Sequence, residues 1–297
     1  MEEKGLAKGH IFALITILFW GTTFIVTKTL LISFQPIEII IFRFIIGFAV
    51  LSLVYPHRLK TTEKKHELYF MAAGLCAVSL YGPLESNAIN FTSASNVGVI
   101  VSISPFFTIL LANWLLEGEK PRVYFFIGFV AAITGISLIS FNGAALEFNP
   151  VGDLMAVAAS FVWAIYSILV KKISGFGYHM IQVTRRIFLY GLIFLIPAAF
   201  MFDFEFALSR FTQPINLFCI LFLGMGASAM CFVTWNSAVK YLGAVKTIIY
   251  VYLIPVIAVV TSVVILNEKM TWMLASGTVL TLAGLVISEW KSVFKSS

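Results

Sequence analysis

Arg43 and Arg186 lie inside otherwise apolar segments, where a guanidinium group could do chemistry. Arg43 stands about six residues into its segment, roughly 9 Å deep at about 1.5 Å per residue. Arg186 stands at a comparable depth in another segment. Arg43 could bind a carboxylate, or pair with Glu38 or Glu85 to gate a passage, and Arg186 is a second candidate for binding. The alternative is that both side chains extend toward water beyond the ends of their segments.

Aromatic and amide side chains are further candidates for contact with a small molecule. Aromatic rings pack against flat or apolar groups, while amides and hydroxyls hydrogen-bond polar atoms. These candidates are Trp20, Asn87, Asn96, Trp163, Tyr166, Trp235 and Tyr250. The alternative for each of them is helix packing. Pro105 and Pro255 fall mid-helix, where a missing backbone hydrogen bond permits a kink, so they are either paired hinges or static bends.

The residues that other chemistries would need are scattered. The four histidines lie at segment ends or in loops, and Cys76, Cys219 and Cys231 lie singly in apolar segments. This pattern predicts neither a metal site nor a catalytic centre. The sequence contains no glycine-rich P-loop with its lysine, the motif that binds nucleotide phosphates. We expect no cofactor. The acidic residues, Glu38 and Glu85 included, fall at predicted helix ends or in loops.

Membrane-spanning helices are the elements predicted to carry these residues. Among the 297 residues, 60% are hydrophobic and 11% are charged, and the mean hydropathy is +0.97, values that exclude an ordinary soluble domain. Barrel strands would be about half as long as the apolar stretches seen here. Ten stretches come near the length of about 20 residues that a bilayer requires: 10–31, 37–54, 68–86, 94–115, 123–141, 152–170, 181–202, 216–239, 244–266 and 272–290.

Positive charge is unevenly divided between the loops on the two sides of these spans. Lysine and arginine resist translocation, so the richer side is predicted to be cytoplasmic. It collects thirteen basic residues, against Arg210 and Lys269 on the other side: Lys4, Lys8, Arg58, Lys60, Lys64, Lys65, Lys120, Arg122, Lys171, Lys172, Lys240, Lys291 and Lys295. Both termini should then be cytoplasmic, in agreement with ten crossings. Because the net charge of +6 is spread over alternate loops, no nucleic-acid partner is expected.

The chain is internally duplicated. A tryptophan, a lysine and an arginine recur 143 residues later, so that Trp20, Lys28 and Arg43 match Trp163, Lys171 and Arg186. Further along, Pro105 matches Pro255 at an offset of 150 residues. The sequence therefore predicts two repeats, at 10–141 and 152–290, with five spans each. An odd number of spans inverts the second copy, and inverted repeats are typical of alternating-access transporters.

The order of these motifs resembles the EamA family of the drug/metabolite transporter superfamily. The first copy contributes the run from Phe19 to Phe24 with Lys28, the stretch from Pro36 to Arg43, and Glu119-Lys120 leading to Gly135. The second copy contributes Trp163 with Lys171, then Arg186, and Asn267-Glu268-Lys269 leading to Gly284. The resemblance covers nearly the whole chain as two tandem units.

This resemblance implies a ten-helix carrier in the cytoplasmic membrane, moving small metabolites or drugs, often outward. Similar proteins include exporters of amino acids and related compounds. The first four helices of each half should surround a central cavity, while the fifth and tenth support the bundle or contact a second protomer in a homodimer. Proton coupling through Glu38 or Glu85, exchange and uniport all stay open. An importer of the same fold and an integral-membrane enzyme are the alternatives.

Overall fold

The protein is all-helical in the computed structural model, which describes residues 2–91, 97, 100–116, 123–140, 149–201, 204–206, 208–257, 260 and 271–293. The first half contains α1 (Glu2–Leu30), α2 (Pro36–Val54), α3 (Lys64–Phe91), α4 (Ser104–Leu115) and α5 (Val123–Ser140). The second half contains α6 (Pro150–Ser174), α7 (Met180–Met201), α8 (Pro214–Leu242), α9 (Ala244–Ile257) and α10 (Trp272–Val293). A 3-10 segment at Leu208–Thr212 precedes α8.

Six of these helices, namely α1, α2, α3, α6, α7 and α8, are long and apolar enough to cross a membrane. The other four contain shorter apolar stretches, at Ser104–Leu115, Val123–Ile139, Ala244–Ile257 and Trp272–Ser288. The predicted all-helical class is confirmed, and the protein is a multi-pass membrane protein. The count of ten crossings and the cytoplasmic position of both termini stay predictions.

Local sequence signals set where the helices begin and end. Helix α2 starts with Pro36, and the carboxylate of Glu38 accepts a hydrogen bond from the backbone N–H of Gln35 at 2.7 Å, which closes a capping box. Helix α6 also starts with a proline, and the Asn149 side chain caps its first turn. Gly243 separates α8 from α9 with a φ of 91°, a conformation that glycine adopts without steric cost.

Helices of the two halves pack against each other in matched pairs. Helix α1 packs on α8, and its counterpart α6 packs on α3; likewise α2 packs on α8, while α7 packs on α3. Three further contacts join a helix to its own counterpart, namely α2 with α7, α4 with α9, and α5 with α10. A two-fold relation between the repeats produces this reciprocal pattern.

The contact between α5 and α10, here called the glycine seam, brings two backbones together. A Cβ atom added at Gly135 would lie 2.5 Å from the backbone nitrogen of Thr281, and one added at Gly284 would lie 2.5 Å from that of Ala132. Small residues four apart permit such close approach. The small residues Gly135 and Gly284 therefore let α5 and α10 pack closely on each other.

Regular helix geometry is interrupted at matched places in both halves. Helix α3 is π-helical over Leu75–Leu80, and α8 is π-helical over Phe222–Met230. Helix α4 begins at Ser104 after a turn at 102–103, and α9 contains a 3-10 segment at Ile249–Tyr252, shortly before Pro255. The prediction of Pro105 in mid-helix is wrong: it stands in the first turn of α4, where the missing N–H costs no helical hydrogen bond.

Candidate functional site

A cavity of about 80 Å³ lies between the two halves. A water needs roughly 10–15 Å³ of such space, so the cavity holds several waters or part of a small organic molecule. Helices α1, α2, α3, α6, α8 and α9 contribute to it, together with the start of α4. Its lining is Trp20, Thr23, Ile40, Arg43, Phe44, Ala77, Tyr81, Gly82, Glu85, Ser86, Val101, Ser104, Trp163, Phe232, Val251 and Ile254.

Two tryptophans form the wall where the repeats meet. The rings of Trp20 and Trp163, which occupy matched positions of the two repeats, lie edge to face with centroids 5.3 Å apart. Trp163 also contacts Tyr81 at 4.8 Å. The indole nitrogen of Trp20 donates to the backbone oxygen of Ala227 at 3.0 Å. Because this hydrogen bond fixes the ring, the wall presents a rigid aromatic surface to the cavity.

Arg43 brings a positive charge into this cavity. Its Nε donates to Ser228 Oγ at 2.9 Å, and its guanidinium carbon lies 5.3 Å from the centroid of the Phe44 ring. Ser228 is the only hydrogen-bonding partner of Arg43 in the part of the chain that the structure describes. A guanidinium carries five N–H donors, so most of them are available to a ligand.

Glu85 brings a negative charge into the same cavity. Its carboxylate accepts a hydrogen bond from the Tyr81 hydroxyl at 2.7 Å, and its charge attracts that of Arg43 without a direct ion pair between them. The sequence placed Glu85 at a helix end. That prediction is wrong, because α3 continues to Phe91.

Tyr166 and Trp235 lie behind the aromatic wall. The Tyr166 hydroxyl donates to Asn236 at 2.6 Å, and the Asn236 amide donates to Thr184 at 3.0 Å. Trp235 is completely buried, with its ring 5.1 Å from that of Trp20. Both predicted binding residues therefore support Trp20 and Trp163 from outside the cavity lining.

The remaining binding candidates lie apart from the cavity. Asn87 lines a separate pocket with Asn90 and donates to the backbone oxygen of Pro83. Tyr250 hydrogen-bonds His10. Arg186 pairs with Glu67 at 3.1 Å. Asn96 lies outside the described residues.

Glu38 has a different partner from the one that the sequence offered it. It forms an ion pair with Arg210 at 2.7 Å, and Arg210 also binds Glu205 at 2.7 Å. Residues five apart on a helix face different directions, so Glu38 and Arg43 point to different sides of α2. The predicted pairing of Arg43 with Glu38 is therefore wrong.

Among the residues that the sequence analysis did not name, Tyr81, Phe232 and Ser228 make contacts that shape the site. Tyr81 and Phe232 read as ordinary apolar helix residues, and Ser228 reads as one of several small residues in its segment. Ser228 lies in the π-helical part of α8, and such segments occur frequently at functional sites. Within the ranges that the structure describes, no three metal-ligating side chains come together.

Fold and cavity together define a membrane protein built from two packed helical repeats around one central cavity. Its sequence matches the EamA-like transporter family over residues 7–141 and 150–290, and the chain belongs to that family. It is a membrane transporter of the drug/metabolite type, as the recognised motifs predicted.

Several similar proteins carry transporter names. An uncharacterized transporter of Archaeoglobus fulgidus is 27% identical over 292 residues, which cover 96% of this chain and 98% of that protein. The uncharacterized transporter YvbV of Bacillus subtilis is 25% identical and covers 93% of this chain and 90% of its own. A probable terminal-alkyne amino-acid exporter of Streptantibioticus cattleyicolor is 26% identical over 72% of this chain and 70% of its own. These names indicate transport.

One solved crystal structure has the same fold. It covers 98% of this chain and 99% of its own, with a TM-score of 0.77 and 19% identity. At that identity, the likeness extends to the fold alone.

Proposed function

We propose that this protein exports small zwitterionic metabolites, amino acids or related compounds, across the cytoplasmic membrane by alternating access. The observation that carries this proposal is the placement of Arg43 and Glu85, with opposite charges, in one cavity beside Trp20 and Trp163. Both termini would be cytoplasmic, and the ten helices would form two inverted five-helix repeats.

The two charged side chains would recognise different groups of the solute. The guanidinium of Arg43 would bind the carboxylate of the solute through parallel hydrogen bonds. The carboxylate of Glu85 would bind its ammonium group, with the Tyr81 hydroxyl holding Glu85 in place at 2.7 Å. The tryptophan wall would pack against the side chain of the solute. A relative named as a probable amino-acid exporter supports this class of substrate.

Alternating access would use the interruptions in the helices around the cavity. Ser228, the partner of Arg43, belongs to the π-helical segment of α8, and Ala77 belongs to that of α3. A change in these segments would move cavity-lining side chains directly. Glu85 is the proposed carrier of a proton if transport is coupled; exchange and uniport are its alternatives.

Flux into liposomes that contain only this protein tests the proposal. We expect amino acids to be transported faster than the matching carboxylic acids without an ammonium group and the matching amines without a carboxylate. Nucleosides and cationic drugs are the comparison solutes. Transport of cationic drugs without transport of amino acids would contradict the proposed substrate class.

Reporters fused after His66 and after Phe148 test the orientation separately. The first should report from the cytoplasm and the second from outside. Reports from the same side would contradict the ten-span arrangement.

A further inference from the structure

A second pocket, of about 520 Å³, lies between the end of α2 and the first turns of α7. Arg58, Arg185 and Arg186 line it, beside Gln182. We call it the arginine pocket. It lies at the end of the bundle where the charge bias predicts the cytoplasmic surface.

The arginine pocket carries an excess of positive charge. No carboxylate lines it in the described part of the chain. The nearby Glu67 pairs with Arg186 at 3.1 Å, so three guanidinium charges less one carboxylate leave two. Arg185 donates to the backbone oxygens of Tyr55 and His57, contacts that hold the side chain but do not neutralise it.

One polar atom of Arg186 has no hydrogen-bond partner among the residues that the structure describes. The Nε of Arg186 is buried without a hydrogen bond, although its Nη2 binds Glu67 and the backbone oxygen of Leu59. Buried donors are nearly always satisfied, so Arg186 is not fully paired by Glu67 and Leu59, and the excess positive charge of the pocket favours an anionic ligand. Oxygen atoms of a phosphate group match the planar fork of arginine.

The pocket at Glu38 shows that this excess is not general to the helix ends. There a single cation, Arg210, binds both Glu38 and Glu205 at 2.7 Å. The orientation of a chain in a membrane depends on basic residues in the loops and near the ends of the spans. Arg185 and Arg186 lie half-buried within α7, and both line the same pocket.

Apolar surface continues from the charged pocket along both helices. Phe48 lines the pocket on α2, and Ile45, one turn away on the same helix face, is exposed. Leu189 lines it on α7, and Ile193, one turn further, is exposed. A free phosphate ion would use only the arginines, whereas a phospholipid would use both surfaces.

We infer that the arginine pocket binds the phosphate of an anionic phospholipid, with its acyl chains along the apolar faces of α2 and α7. Basic pockets between helices at the cytoplasmic surface suit such headgroups. The site is separate from the central cavity, so the inference does not depend on the transported solute.

Lipid binding by the purified protein in neutral detergent tests this inference. Phosphatidylglycerol, phosphatidylcholine and inorganic phosphate are added separately, and bound lipid and melting temperature are measured. We expect phosphatidylglycerol to be retained and to raise the melting temperature, since a ligand of the folded state stabilises it. Equal retention of phosphatidylcholine would overturn the inference. Stabilisation by inorganic phosphate equal to that by phosphatidylglycerol would identify a soluble ligand and overturn it too.

Matched variants locate the site. Arg58 is exposed, so Arg58→Gln should leave the fold intact while weakening phosphatidylglycerol binding about tenfold, the loss of one charge-assisted hydrogen bond. Lys60→Gln removes the same charge from the same loop but outside the pocket, and should change binding less than about twofold. Arg186→Lys keeps the positive charge but loses the planar guanidinium with its parallel N–H donors, so it should also weaken phosphatidylglycerol binding. Equal losses in R58Q and K60Q, or no loss in R58Q, would overturn the assignment.

Discussion

An arginine, a glutamate and a tyrosine lie close together at two places in the described structure, and their contacts differ between the two. In the arginine pocket region, Glu67 binds Arg186 directly at 3.1 Å and accepts from the Tyr190 hydroxyl at 2.6 Å. In the cavity, Glu85 accepts from Tyr81 at 2.7 Å, but Arg43 is held by Ser228.

The difference separates a direct ion pair outside the cavity from two charged groups that face the cavity without pairing. Arg186 binds Glu67 directly at the arginine pocket. Arg43 and Glu85 keep hydrogen-bonding capacity that faces the cavity, although Arg43 and Arg186 occupy matched positions of the two repeats. Arg43 donates instead to Ser228, which lies in the π-helical segment of α8.

Replacing the two matched arginines should give the largest contrast. Arg43→Ala should lower amino-acid flux at least about thirtyfold. The variant removes the proposed partner of the solute carboxylate, and loss of one partner from a buried charge pair costs about 2–5 kcal/mol. Arg186→Ala should keep most of the flux, since that side chain lies outside the cavity. Flux into liposomes and melting temperature are measured for both variants. Equal loss of flux in two folded variants would break the comparison.

Replacing Glu85 and Glu67 tests the same comparison between the cavity and the arginine pocket region. Glu85→Gln should lower the flux of amino acids about tenfold, by loss of the charge that binds an ammonium group, while carboxylic acids without that group are affected less. Glu67→Gln should instead lower stability by about 1 kcal/mol or less, since its ion pair is partly exposed. A substrate-independent loss in E85Q would contradict the assigned role.

Ser228→Ala tests what keeps Arg43 from Glu85. Without the hydroxyl, the guanidinium is free to pair with Glu85, and amino-acid affinity should fall about fivefold, the equivalent of about 1 kcal/mol. Ser237→Ala is the matched control, because Ser237 lies on the same helix and its hydroxyl donates, among the described residues, only to the backbone oxygen of Val233. Affinity from thermal shift and from flux should agree. Unchanged affinity in S228A would remove Ser228 from the site.

The two tyrosines should give the smallest effects. Tyr81→Phe leaves the Glu85 carboxylate without its hydroxyl donor, and we expect about a threefold loss of amino-acid flux. Tyr190→Phe changes the corresponding contact of Glu67 and should leave flux unchanged. Equal flux in Y81F and Y190F would show that the Tyr81 hydroxyl does not position Glu85.

The sequence predicted the duplication and part of the cavity. Trp20 and Trp163 were matched by spacing, and the structure brings them together, because residues near a two-fold axis meet their own counterparts. Arg43 also lines the cavity. Its role in binding stays a prediction, as do those of the other candidates.

Other features of the site could not be predicted from the sequence, for physical reasons. The polar run Glu85-Ser86-Asn87 reads as a helix end by hydropathy, but Glu85 and Ser86 face the cavity and Asn87 faces another pocket, so α3 continues through it. The π-helical segments depend on tertiary packing and leave no clear periodic signal. Without them, neither the position of Ser228 nor the difference between Arg43 and Arg186 follows from spacing.

The glycine seam bears on how such a chain arises in evolution. Helices α5 and α10 hold the same place in their repeats, so the seam joins one surface to a second copy of itself. An ancestral five-helix polypeptide would have used that surface for self-association, and gene duplication with fusion would have made the contact internal. Because α5 and α10 bury this face against each other, a homodimer of the present chain would have to use other surfaces.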